Sequence, residues 1–144
     1  SSCCDIRHAT ERSEFAQPEL ARGILPGWGG PQRLATVIGE GPAKEIILTA
    51  DRYDAEEMAD FGFLRDVVSK DELFDEAFDL AADLAQGPPV AIKMTKRAMK
   101  KGRDDTEAGL EIESQGFGHL IGTDDVMEGM TSFMGDSEPD FEGK

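Results

Sequence analysis

Glycine and proline cut this sequence into short pieces, and that punctuation limits what it can fold into. Gly23-Ile24-Leu25-Pro26-Gly27-Trp28-Gly29-Gly30 reads as a loop, and Pro31 behind it suits the first position of a helix, where its missing N–H has no intrahelical partner to lose. Leu34, Val37 and Ile38 follow at helical spacing. Pro42 opens a second helix carrying Ile46 and Ile47. Asp54 and Glu57 form a capping box for a third, which Gly62 ends. Ahead of the loop, Pro18 drives its predecessor toward extended backbone, so Phe15 to Leu20 reads as an extended piece. Cys3 to Ala9 and Val67-Val68 read as strands. From Asp71 to Ala85, Leu73, Ala77, Leu80, Ala81 and Leu84 share one face and predict a helix. Gly87-Pro88-Pro89 stops it, and helices are predicted from there to Lys101, over 106–121 and over 124–134. Short strands mixed with short helices, then helices alone, make the fold class α/β. The strand at Cys3 opens with no cap or turn before it, which predicts that the chain is cut from a longer one.

Charge narrows the function. The 144 residues carry 15 Lys+Arg against 30 Asp+Glu, a formal net charge of −15. Non-specific nucleic-acid binding, which relies on Lys and Arg neutralising phosphates, is excluded. No apolar run approaches the ~18 residues of a membrane span, and Ser1 to Arg12 lacks the pattern of a secretion signal. Cys3 and Cys4 are adjacent, close no useful loop and have no metal-ligand partners at spacing. They are expected as buried or half-buried thiols in a reducing cytoplasm. Twelve of the acids and one base fall between Asp104 and Lys144. Two readings fit: a folded helical segment with an acidic face of the halophilic kind, which is favoured, or an acidic tail for a basic partner.

Three features could carry chemistry. Glu19 sits between the proline-stiffened segment and the glycine-rich loop, where a carboxylate can be held rigidly for acid/base work; a lone loop glutamate is otherwise a solvated surface residue. Pro26-Gly27-Trp28-Gly29-Gly30 could aim backbone N–H groups at an anion or a water, or be only a tight turn. It lacks the lysine of a phosphate loop and the spacing of a dinucleotide fingerprint. Trp28 is expected to pack. Lys93, Lys96, Arg97 and Lys100 make one basic stripe, suited to a phosphate-bearing ligand, an acidic neighbour or solvent. His8 and His119 have no partner at a recognisable spacing, and no metal site is predicted.

Cys4-Asp5-Ile6-Arg7, Phe15-Ala16-Gln17-Pro18-Glu19 and the run Gly23 to Leu34 with its Pro-Gly-x-Gly-Gly-x-Gln-Arg-Leu resemble the central stretch of the enoyl-CoA hydratase/isomerase family, the crotonase superfamily. Ala43-Lys44-Glu45, Leu48-Thr49, Asp54 to Ala59 and Phe61-Gly62 continue the resemblance. Thr123-Asp124-Asp125 with Glu128-Gly129-Met130 and Phe133 resembles the family's C-terminal signature. The resemblance implies the later part of a longer protein. It implies residues 1–86 as the remainder of a crotonase-like ββα spiral and 87–144 as a helical region for trimers or dimers of trimers. It further implies an enoyl-CoA hydratase of fatty acid metabolism that adds water across the α,β double bond of an acyl-CoA thioester, with no cofactor beyond the CoA of the substrate. Glu19 matches the glutamate that gives or takes the proton at the acyl α-carbon. Gly27 matches the backbone N–H that helps hold the catalytic water, Pro26 stands beside it, and Phe117 matches an aromatic near the CoA adenine. The family's other catalytic glutamate and its oxyanion-hole amides lie upstream of the Cys-Asp-Ile segment, so the chain alone is expected to be inactive. Alternatives are an enoyl-CoA isomerase, which can work with the Glu19 carboxylate only, and a non-catalytic assembly subunit. Pro31 replaces a usual Thr, a minor change. Gly135, Asp136 and Ser137 replace lysines, one of which touches CoA in the family; the basic stripe or salt-bound cations could take over that contact.

If the acid is a halophilic surface, screening should relieve its self-repulsion, since the Debye length falls from about 8 Å at physiological ionic strength to about 3 Å at 1 M. Melting temperature is expected to rise between ~0.1 M and ~1 M KCl, and replacing Asp136, Glu138 and Asp140 by neutral residues should mimic part of the rise. A melting temperature flat across that range would favour the partner-binding tail.

Overall fold

The computed structural model describes residues 1–144, with seven α-helices and four three-residue strands in two compact units, Ser1–Phe78 and Asp79–Lys144. In the first unit, β1 (His8–Thr10) pairs in parallel with β4 (Asp66–Val68), and β2 (Glu14–Ala16) pairs antiparallel with β3 (Arg52–Asp54), placing Phe15 opposite Tyr53. Three helices, α1 (Gly30–Ile38), α2 (Glu40–Thr49) and α3 (Ala55–Asp60), carry most of the rest. Ala9, Leu34, Ala43, Ile46, Tyr53, Ala55, Met58, Phe63 and Leu64 form the core, around Ile46 at 1% exposure. Phe15 meets Phe63 edge-on at 5.7 Å between centroids, and the Arg7 guanidinium lies 4.9 Å over the same ring while donating to the Phe63 and Cys4 carbonyls.

Local chemistry explains the boundaries. The Asp54 side chain accepts from the Glu57 N–H at 2.9 Å and Glu57 accepts from the Asp54 N–H at 2.8 Å, so the capping box closes in both directions. Gly62 follows α3 at φ +76°, a conformation that suits a residue without Cβ. On α2, the exposed Glu40 carboxyl is held below its ordinary range by the hydrogen bond from Lys44 and then by the lysine's charge.

Other expectations are corrected. Ser1 to Ile6 forms turns and the strand begins only at His8, so Cys3 and Cys4 are exposed free thiols rather than buried ones. The Phe15–Leu20 piece is strand only through Ala16, and a 3₁₀ turn takes over at Leu20. Helix α2 starts at Glu40, with Pro42 inside its first turn, where its missing N–H costs nothing. Helix α4 (Leu73–Ala85) starts two residues later than predicted, because Ser69 organises the turn before it: its hydroxyl donates to Glu72 at 2.6 Å and its carbonyl accepts from the Leu73 N–H. None of its residues is buried, and the division between the compact units falls within it.

The second unit is helical. Helices α5 (Pro89–Gly102) and α6 (Thr106–Leu120) form an antiparallel hairpin in which a Cβ on Gly109 would lie 2.6 Å from the Gly102 Cα. Backbone meets backbone there, so only glycine fits. After α7 (Asp124–Gly135) the chain folds back: Asp125, 7% exposed, accepts from the N–H groups of Glu142 and Gly143, and Lys144 O accepts from the Asp124 N–H at 2.9 Å. Phe141 lies against Gly129. Leu110 and Phe117 on α6, Ile121 just past its end, and Met130 and Phe133 on α7 are exposed. No helix is long and apolar enough to cross a membrane.

Truncating Ile46 to Ala removes a fully buried side chain and is expected to lower stability by about 2–5 kcal/mol. Asp54→Ala, which opens the capping box, should cost about 1 kcal/mol. Urea midpoints at unchanged m-value measure both.

Candidate active site

Glu19 begins the 3₁₀ turn Leu20–Arg22, its backbone helical and its carbonyl accepting from the Arg22 and Ile24 N–H groups. Gly23 ends the turn at φ +74°. The side chain is half-buried, and one oxygen, Oε2, is shut off from solvent without a hydrogen-bond partner. Leaving a carboxylate oxygen buried and unpaired is costly, so it marks a place where a ligand group or water is wanted.

The loop that follows is tied to the Glu19 segment at one point. A Cβ on Gly30 would lie 2.6 Å from Gln17 Oε1 and 3.1 Å from Pro26 Cβ, so the Gln17 amide and the buried Pro26 ring both press on the start of α1. Gln17 stands beside Pro18-Glu19 and Gly30 ends the Gly-rich run; their contact brings the two segments together. Gly29 turns at φ +79°, and Arg33 folds back from α1 to donate to the Trp28 carbonyl at 2.6 Å.

Gly27 is different. It is exposed, a Cβ there would meet nothing within 4 Å, and no hydrogen bond within the chain uses its N–H. Glu19, with its unpaired carboxylate oxygen, stands two residues after the Gln17 that meets Gly30, and Gly27, with its free backbone donor, follows the Pro26 that meets Gly30 from the other side. Phe117 lies on α6 in the second unit, 67% exposed. Trp28, expected to pack, is instead 93% exposed, because its neighbours tie down its backbone and leave the ring outside.

Sequence reasoning missed Gln17 and Arg33 as supports, although both stand inside the Gln-Pro-Glu and Gln-Arg-Leu motifs. It also missed His8, whose side chain is 9% exposed, with neither ring nitrogen hydrogen-bonded and Nδ1 3.7 Å from Asp66 Oδ2. That proximity arises from strand pairing, which no local spacing signals. The four basic residues of the α5 stripe are all exposed. Two cavities, of about 390 and 440 Å³, lie on the second unit; Lys93 and Lys96 of the basic stripe line the first, and Glu19, Pro26, Gly27 and Phe117 line neither. No group of His, Cys, Asp and Glu is placed to hold a metal ion.

The sequence matches the enoyl-CoA hydratase/isomerase family model over residues 1–144. The chain belongs to that family. It is 39% identical over 132 residues to the short-chain-enoyl-CoA hydratase of Clostridium acetobutylicum, covering 91% of this chain and 51% of that protein. To the crotonyl-CoA hydratase of Syntrophomonas wolfei it is 36% identical over 143 residues, 99% of this chain and 55% of that protein. The crystal structure of an enoyl-CoA hydratase from Bacillus anthracis superposes with a TM-score of 0.92 at 35% identity, over 99% of this chain and 56% of that one. The chain thus spans about half the length of these relatives.

Gly30→Ala is expected to destabilise the fold by about 1–3 kcal/mol, the range for overpacking a filled site. Gly27→Ala, in open space, should stay within about 0.5 kcal/mol of the parent. Paired thermal melts compare the two.

Proposed function

We propose that this chain is the later part of an enoyl-CoA hydratase acting on short acyl-CoA thioesters, and that by itself it is inactive. The observation that carries the reading is the buried, unpartnered Oε2 of Glu19 in a chain of this family. The names of the Clostridium and Syntrophomonas relatives support the short-chain substrate.

In hydration the water oxygen bonds to the β-carbon, a proton reaches the α-carbon, and the C=C π electrons pass through an enolate. The Gly27 N–H holds the water, and the Glu19 carboxyl gives the proton to the α-carbon, or takes it in the reverse direction. Oxyanion donors on the enolate, and a second carboxylate that takes the proton the attacking water loses, come from residues upstream of this chain. Because each lost oxyanion donor costs about 10²–10³ in rate, the chain without them does not turn over. The exposed apolar residues of the second unit, Leu110, Phe117, Ile121, Met130 and Phe133, support self-association into trimers through it. Phe117, so placed, lies near the CoA adenine. The acidic surface of that unit is of the halophilic kind.

The test is Glu19→Gln in the intact protein. The kcat for crotonyl-CoA should fall by about 10²–10⁴, with little change in KM, as for a group acting mainly in the transition state. The purified 144-residue chain should leave enoyl absorbance unchanged. A variant within about tenfold of wild type, or turnover by the chain alone, would sink the reading. Conversion of a 3-enoyl-CoA to its 2-enoyl isomer without hydration would install the isomerase in its place.

A further inference from the structure

Helix α5 is the most basic element of this acidic chain: its 14 residues hold five of the 15 Lys and Arg and no acid. Two of the five, Lys93 and Lys96, stand one turn apart and line the cavity of about 390 Å³. The rest of its lining is apolar, with Leu84 at the end of α4, then Pro89 and Ile92. No residue of 103–144 lines it. The chain's own tail reaches only the edge, where a Cβ on Gly143 would lie 2.8 Å from Pro89 Cγ.

The end of α7 has the opposite character. Phe133 and Met134 are 89% and 78% exposed, and Asp136 closes the helix. The N–H groups of Asp136 and Ser137 both donate to the Ser132 carbonyl, which fixes the backbone of this end. Asp136 suits the place poorly. Its φ is +52°, a conformation that costs glycine least, and its carboxylate stands at the negative pole of the helix dipole with no basic residue in the last turn to offset it. Folding alone favours glycine or a base there. Neither the Asp136 carboxylate nor the Lys93 ammonium has a partner within the chain.

We infer that the cavity where α4 meets α5 receives the α7 end of a second copy, with Phe133 and Met134 covering Leu84, Pro89 and Ile92 while Asp136 pairs with Lys93. This rests on the self-association proposed for the second unit and names its contact. The chain supplies both halves, apolar surface for apolar surface and an unpaired acid for an unpaired base, and charge so arranged fixes register between copies. Because the two surfaces differ, the contact runs head to tail, and it closes into a ring in which every copy gives one helix end and one cavity.

The experiment is sedimentation of the intact protein at ~0.15 M KCl, comparing wild type with Lys93→Glu, Asp136→Lys, the two combined, and Phe133→Ser. Each single charge change sets like charges against each other and should raise the dissociation constant of the assembly at least about tenfold. The combination restores an opposite pair and should recover most of the loss, which two unrelated surface changes would not do. Phe133→Ser should weaken assembly about tenfold as well. Circular dichroism melts check that each variant is folded; for one that is not, Lys93→Gln and Asp136→Asn take over, and the two together should weaken assembly no more than either alone. Assembly that none of these changes weakens, or a combination weaker than both its parents, overturns the docking and leaves self-association standing. A wild-type protein that sediments as a monomer at every concentration overturns both.

Discussion

Gly30 carries no side chain because there is no space for one, and the shape of the Glu19 loop hangs on that crowding. The Gln17 amide reaches its Cα from one segment and the Pro26 ring from the other. Where three groups meet with no spare volume, the segments they belong to lose freedom to slide past one another. A carboxylate at Glu19 and a backbone donor at Gly27 are thereby fixed without a hydrogen bond being drawn from either. Supports on one side of a loop, with polar atoms left unsatisfied on the other, leave room for a ligand. The strand pairs β1–β4 and β2–β3, with Phe15 and Arg7 both on the Phe63 ring, anchor the segment upstream of Glu19.

Features that depend on a residue and its near neighbours were legible in the sequence. The Asp54–Glu57 box, the breaks at Gly62 and Gly87-Pro88-Pro89, and the periodic helices α4 and α6 express backbone chemistry within a turn or two. The Gln-Pro-Glu and Pro-Gly-x-Gly-Gly motifs drew attention to Glu19 and Gly27 through the family they resemble. What escaped was decided by distant partners. His8 meets Asp66 only because β1 pairs with β4. Ser1 to Ile6 has no strand to pair with and forms turns, which puts both thiols in solvent. Trp28 was misjudged because apolar character says that a ring should be covered, not by what.

The glycines show how one residue type serves opposite ends. Gly102 and Gly109 let two helix backbones touch, Gly23 and Gly29 bend the chain into left-handed conformations, and Gly27 borders open space. Composition counts them alike. Only the atoms around each one separate a structural requirement from room left for something else.

Asp125 changes how the acidity of the C-terminal segment should be counted. Its carboxylate is an internal clasp, gripping the amides of Glu142 and Gly143 and drawing the last residues of the chain against the start of α7. A lysine could not replace it, since the amides it receives are donors seeking an acceptor. Within a stretch where one acid looks much like another, drift in sequence is free to exchange most of the exposed carboxylates among themselves, while this one is bound to its position by the chain that closes over it.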